Sequence, residues 1–379
     1  MTELIYLDHN ATTPIAPEVL EAMLPYLRER FGNPSSDHVL GHQAHQAVET
    51  ARVQVATLIG ASPGEIIFTS GGTESNNLAI RGVAASAPPA RRRIVTSQVE
   101  HPAVVEPCGV LELAGWSVTR VPVTPEGIVD AETAIGALDT DVALLTLMRA
   151  QNETGAIMPV DLVAAAAHPE GIIVHTDAAQ AVGKIEVDVD DLGVDLLSIA
   201  GHKLFAPKGV GALYVREGTL VEPIVFGGGQ ERGLRPGTEN VASIVGLGAA
   251  AILAGSRLAS ESTRLRVLRE EFWHILRGRI PNLVRHTPVG HSLPNTLALS
   301  FPGVLGKDVL AAADGVLAST GSACHSGVDT PAETLLAMGV TPEVALGSVR
   351  LSLGHANTET ELAAAADILV AAFDAASNR

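Results

Sequence analysis

Cysteine is scarce: two in 379 residues, which excludes a disulfide framework and a four-cysteine zinc site, and no metal site is expected. Positive charge is scarce too. Lys and Arg total 25 against 42 Asp and Glu, a formal charge of −17. So acidic a surface argues against non-specific nucleic-acid binding, because phosphates need a basic partner. The longest apolar run, Val241 to Gly255, falls short of the ~20 residues of a membrane span. Rich in Gly and Ala, it reads as a helix buried between other elements, so no membrane partner is expected. Met1-Thr2-Glu3-Leu4-Ile5-Tyr6-Leu7-Asp8 places no basic segment before an apolar run, which predicts no signal peptide and a cytoplasmic protein. There is no internal repeat, no Walker loop and no spaced dinucleotide-binding glycine pattern. What is present, 46% apolar and 18% charged residues, excludes disorder and supplies a substantial core.

Apolar strands alternate with amphipathic helices, the pattern of a mostly parallel sheet covered on both faces. Ala44, Val48, Ala51, Val55 and Leu58 make one helical stripe closed by Gly60. Strands are expected at 65–69, 93–97, 116–121, 142–147, 172–174, 196–199 and 211–215, and helices at about 72–87 and 103–114. The pattern changes near residue 255. Beyond it come a long Arg/Glu-rich helix over about 260–277, strands at 296–301 and 349–353, and a helix at 308–313. Thr358 and Glu361 form a capping box for a last helix to about Ala375. The expected organisation is a large α/β domain over 16–255 and a smaller one made of 1–15 with 256–379.

Four lysines occur: Lys184, Lys203, Lys208 and Lys307. Lys184, Lys208 and Lys307 adjoin Gly or Pro and read as loop residues. Lys203 instead follows the buried strand Leu196-Leu197-Ser198-Ile199, at the sheet end where open α/β folds bind ligands. Partial desolvation there lowers an amine's pKa and frees it as a nucleophile toward a carbonyl; a snorkelling lysine at a strand end is the competing reading. The Gly-rich turn Ser70-Gly71-Gly72-Thr73 opens a helix and suits a phosphate, or is an ordinary capped turn. Asp177 ends another strand, where a carboxylate would hold a protonated pyridine nitrogen or simply cap a helix. His101, before Pro102, is either a turn residue or a ring that stacks on a flat cofactor. Together on one rim, a Schiff-base lysine, a phosphate turn, an acid and a stacking ring fit pyridoxal phosphate better than any does alone.

Cys108 sits in an apolar helical pattern and reads as core. Cys324 lies in Ser319-Thr320-Gly321-Ser322-Ala323-Cys324-His325-Ser326-Gly327, whose small residues suggest an exposed loop. His325 would raise its thiolate fraction; an incidental surface cysteine is the alternative. Arg350, alternating with apolar residues in Ser348-Val349-Arg350-Leu351, needs a partner: a substrate carboxylate held by its fork, or a structural ion pair.

The chain resembles the cysteine desulfurases from end to end. The match is carried by Tyr6-Leu7-Asp8-His9-Asn10-Ala11-Thr12-Thr13-Pro14, Gly32-Asn33-Pro34-Ser35-Ser36 and Ser70-Gly71-Gly72-Thr73-Glu74-Ser75-Asn76-Asn77. It continues through Asn152-Glu153-Thr154-Gly155, His175-Thr176-Asp177-Ala178-Ala179-Gln180, Gly201-His202-Lys203, Arg235-Pro236-Gly237-Thr238-Glu239-Asn240 and Gly321-Ser322-Ala323-Cys324. The resemblance implies the type I pyridoxal-phosphate transferase fold, like that of aspartate aminotransferase. It implies cofactor attachment to Lys203, phosphate binding by Gly72, Thr73 and His202, and ring contacts from Asp177, Gln180, Asn152 and His101. It further implies Thr238 reaching the phosphate in the other subunit of a homodimer, a substrate carboxylate on Asn33 and Arg350, and sulfur from L-cysteine passing to Cys324. From there sulfur would go to an acceptor protein, as in iron–sulfur cluster biogenesis.

Three positions depart from the family pattern: Ala200 where a phosphate-binding serine is common, Gln151 for asparagine, and His9 for asparagine. Cys324-His325-Ser326 and Gly228-Gly229-Gln230-Glu231-Arg232 also resemble selenocysteine lyase. That enzyme, and another pyridoxal-phosphate-dependent aminotransferase or lyase, are the alternative readings.

Overall fold

The computed structural model describes residues 4–320, 323–325 and 328–378, without the side chains of 323–325, 328 and 329. Seven strands form the main sheet: β1 (Ile66–Thr69), β2 (Arg93–Ser97), β3 (Ser117–Val121), β4 (Val142–Thr146), β5 (Ile173–Asp177), β6 (Leu196–Ala200) and β7 (Gly211–Val215). Their spatial order is β1-β7-β6-β5-β4-β2-β3. β3, β2, β4, β5 and β6 run parallel, and β7 runs antiparallel to both β6 and β1. Every position of β1, β4, β6 and β7 is buried, which explains their mostly apolar sequences.

Alternation along the strands feeds two cores. Ile67, Ile94, Leu144 and Leu196 face Leu78 and Val83 of α3 (Gly72–Ser86) and Val104 and Cys108 of α4 (Pro102–Leu113). Phe68, Val95, Leu145 and Leu197 belong to the opposite core, with Val48, Ala51 and Val55 of α2 (Val39–Leu58). Strand β5 continues three residues beyond its apolar run because its polar end is satisfied internally. His175 bonds Thr146 Oγ1 at 2.8 Å and Ser198 Oγ at 3.0 Å, and Thr176 donates to Leu147 O at 2.7 Å.

One expectation fails at the change of pattern near residue 255. No break occurs there: a single helix, α5, spans Val241–Arg279. Interior glycine weakens a helix by only ~1 kcal/mol and does not end it. The change in composition marks a change of neighbours. The apolar first half packs on α1 (Pro17–Arg28) and α2; the second half packs on α6 (Glu359–Ser377) and a small antiparallel sheet. That sheet contains β8 (Val284–Arg285), β9 (Thr296–Ser300) and β10 (Ser348–Ser352), ordered β10-β9-β8. Its core joins Leu297, Leu299, Val349 and Leu351 to Phe272 and Leu276 of α5, Leu362 and Leu369 of α6, and Ile5 and Leu7. The capping box at Thr358 and Glu361 is formed.

Close approach of α2 and α5 depends on Gly248, where an added Cβ would lie 2.7 Å from Ala51 Cα. Gly248→Val is expected to lower stability by ~1–3 kcal/mol in urea denaturation; an unchanged midpoint would show that the helix pair tolerates separation.

Candidate active site

Because β1 is antiparallel to β7, which is antiparallel to β6, the C-terminal ends of β1, β2, β4, β5 and β6 share one rim. A cavity of about 410 Å³ opens there. Gly72, Thr73, His101, Asn152, Asp177, Gln180, His202, Lys203 and Arg350 all line it. Thr238 and Asn33 do not line it; both are exposed, and Asn33 Oδ1 accepts from Ser35 N at 2.9 Å. The side chain of Cys324 lies outside the described residues. The backbone of Ala323–His325 pairs with Val328–Thr330 in a short antiparallel ladder, where the sequence reads as loop.

Lys203 sits in the turn Gly201–Lys203 directly after β6. Its Nζ donates to the carbonyls of Asn10 at 2.5 Å and Ala11 at 2.7 Å. Burial, and then the charge of Arg350, lower its pKa to about 8. The N-terminal segment wraps this turn: Thr13 N and Oγ1 both donate to His202 O at 3.0 Å, and Phe205 N donates to Thr13 Oγ1 at 2.9 Å. His202 bonds Thr12 Oγ1 at 3.2 Å, and burial lowers its pKa to about 4, so it is neutral.

Lys203 titrates lower in the folded chain (about 8) than at its ordinary 10.5. The folded state therefore binds fewer protons between these values. Burying this amine costs stability in full below pH 8, and the cost fades as pH rises through 10.5. Lys203→Met in the cofactor-free protein is expected to gain up to ~3 kcal/mol at pH 7. That gain should shrink above pH 8 in urea denaturation; a pH-independent gain would contradict the assignment.

Asp177 ends β5, and no helix begins there, so the capping alternative falls. Its Oδ2 accepts from Asn76 Nδ2 at 2.7 Å and its Oδ1 from Ala179 N at 2.9 Å. α3 begins at Gly72, and Gly72 and Thr73, whose backbone N–H groups have no partner among the described residues, line the same cavity. His101 caps α4: its Nδ1 accepts from Ala103 N at 3.0 Å, leaving the proton of the neutral ring on Nε2. Burial lowers its pKa.

Of the two readings of Arg350, the structural ion pair is present. Nη2 pairs with Asp8 Oδ1 at 2.8 Å and Nη1 donates to Asn152 O at 3.1 Å, while the buried Nε has no partner. A guanidinium left partly unsatisfied on a cavity wall is a ready donor site for a carboxylate.

Sequence reasoning missed four residues here. Asn10, 1% exposed, supplies a carbonyl to Lys203; its only signal was its place in the Tyr6–Pro14 segment. Asn76 holds Asp177 from one turn into α3. Glu100 is buried under the site, accepts from Ser97 Oγ at 2.6 Å and Met148 N at 3.0 Å, and burial raises its pKa to about 8. Lys184 is no plain loop residue: its amine donates to Asn10 Oδ1 at 2.9 Å and Gln180 Oε1 at 2.6 Å. Lys184 does lie in a turn, but Lys307 is not in a loop: it lies in the first turn of the helix Gly306–Ala312.

Comparison with known proteins agrees with this geometry. Residues 5–364 match the model of the aminotransferase class-V family. The chain is 47% identical over 371 residues to "Cysteine desulfurase IscS" of Dictyoglomus turgidum, covering 97% of this chain and 94% of that protein. It superposes on a solved NifS-like protein with a TM-score of 0.92 at 38% identity, over 97% of this chain and 98% of the other. A structure described as SspA in complex with cysteine gives a TM-score of 0.81 at 35% identity, over 92% and 98%. The chain belongs to the class-V aminotransferase family and, within it, to the cysteine desulfurases.

Proposed function

We propose that this chain binds pyridoxal phosphate through Lys203 and converts L-cysteine to L-alanine, leaving the sulfur on Cys324 as a persulfide for an acceptor protein. The observation that carries the reading is one cavity lined by a low-pKa amine, a buried carboxylate and a partly unsatisfied guanidinium. The donor set fits the cofactor. Gly72, Thr73 and His202 offer N–H groups to its phosphate, and Asp177 keeps a proton on its ring nitrogen. His101 and Ala179 line the cavity walls and would flank the ring, and Gln180 and Asn152, also on the wall, would contact its ring oxygen. Pyridoxal phosphate, when bound, supplies an electron sink for charge left on substrate carbon.

The chain's own residues do the rest. Arg350 holds the substrate carboxylate, and the amine of Lys203, once released, takes the Cα proton. The thiolate of Cys324 forms an S–S bond with the substrate sulfur as the Cβ–S bond breaks. The bonding pair stays on carbon, and a proton completes the methyl group of alanine. The segments flanking Cys324 are tied to residues in or beside the cavity wall: Arg350 lines it, and Gln151 and Glu153 flank the lining residue Asn152. Ser319 bonds Arg350 backbone to backbone (Arg350 N to Ser319 O, 2.8 Å), and Thr334 bonds Gln151 and Glu153 side chains at 3.1 Å. Cys324 follows Ser319 by five positions, a span of up to about 17 Å when extended.

A cytoplasmic homodimer with Thr238 completing the partner's phosphate site, and the division into 16–255 and 1–15 with 256–379, belong to the same proposal. The test is alanine formation from L-cysteine and from L-selenocysteine side by side without acceptor. Alanine from L-cysteine together with a persulfide on the enzyme is expected. Alanine from selenocysteine alone would favour the lyase, and none from either would point to another aminotransferase.

A further inference from the structure

Lys184 and Lys203 converge on Asn10. The side-chain oxygen of Asn10 accepts from Lys184 Nζ at 2.9 Å and from Asn295 Nδ2 at 3.1 Å. Its backbone oxygen accepts from Lys203 Nζ at 2.5 Å and from Gln180 Nε2 at 2.9 Å. Its amide nitrogen donates to Thr296 Oγ1 at 2.8 Å and Asn152 O at 3.2 Å. The second acceptor of Lys184 is Gln180 Oε1, at 2.6 Å. Among the described residues Lys184 has no carboxylate partner, yet it lines a small cavity behind Lys203, and burial holds its pKa well below the ordinary value. Burying an amine against two amide oxygens is a costly way to hold a fold together.

The arrangement does one chemical thing. Both amide ends that face Lys184 Nζ are oxygens, and its N–H groups donate to each. Lys184 therefore fixes which way Gln180 points. The amide nitrogen is turned to Asn10 O, and one N–H remains for an acceptor in the cavity that Gln180 lines. The same amine holds the residue whose carbonyl seats Lys203.

We propose that Lys184 is a positioning residue of the cofactor site: by holding Gln180 Oε1 and Asn10 Oδ1 it aims the Gln180 N–H at the cofactor's ring oxygen and sets the seat of Lys203. The inference rests on the pyridoxal-phosphate reading above. It is tested by titrating pyridoxal phosphate into the purified wild type, Lys184→Met, Gln180→Ala and the double variant, reading the dissociation constant and the position of the visible absorbance band. Lys184→Met is expected to weaken binding by about tenfold and to displace the band. In the Gln180→Ala background it should cost less than about twofold more, because the two act through one contact. Wild-type affinity and band in Lys184→Met, or effects that multiply in the double variant, would overturn the proposal. Wild-type protein that binds no pyridoxal phosphate would instead overturn the functional reading. If circular dichroism shows Lys184→Met unfolded, Lys184→Gln replaces it; full affinity in that variant, or no coupling to Gln180, counts against the proposal equally.

Discussion

Lys203→Ala is expected to lose all covalently held cofactor and to lower alanine formation from L-cysteine by more than about 10³-fold. The reason is positional. Lys203 is the lysine whose amine stands on the cavity, lowered to about 8 by burial and cradled by the carbonyls of Asn10 and Ala11. Its neighbour cannot take over, because the amine of Lys184 is committed to Asn10 and Gln180. Non-covalent binding should persist through Gly72, Thr73, Asp177 and His202, so the variant should still take up the cofactor but release it on gel filtration. Absorbance after filtration and borohydride treatment makes the check. A band that survives filtration and is fixed by borohydride would refute the anchor.

Cys324→Ser carries the second large effect. Sulfide release in the presence of a reductant should fall by at least about 10³-fold while the cofactor spectrum stays unchanged, since a serine hydroxyl is not a sulfur acceptor at neutral pH. No other thiol can replace it. Cys108 is 0% exposed in the core between α3, α4 and the sheet, and burial raises its pKa to about 12, so it holds almost no thiolate. Sulfide release at the wild-type rate would remove the persulfide step from the account.

What could be read from the chain and what could not have separate physical causes. Strands β2 and β7 were legible to their end residues: β7 is an unbroken apolar run, and β2 is a β-branched pair, Ile94-Val95, bounded by Arg93 and by Thr96-Ser97. The polar end of β5 was not, since His175 and Thr176 are paid for by partners on β4, β6 and the residue after β4, which local sequence does not show. The same holds for α5, whose composition switches where its packing partners switch. In the site, Lys203, Asp177, His101 and Gly72 were legible because each ends or follows a strand on one rim. Asn10 and Lys184 were not: their roles arise only when the N-terminal segment folds over the lysine turn, a contact 193 positions apart in sequence for Asn10 and Lys203. Thr238 and Asn33 carry no signal from the cavity of one chain, which neither lines.

The most direct test of the central claim is to reduce the enzyme with borohydride in the presence of pyridoxal phosphate and map the modified peptide by mass spectrometry. The account predicts a single pyridoxyl adduct on Lys203. An adduct on Lys184 or on any other lysine, or none at all, would contradict it.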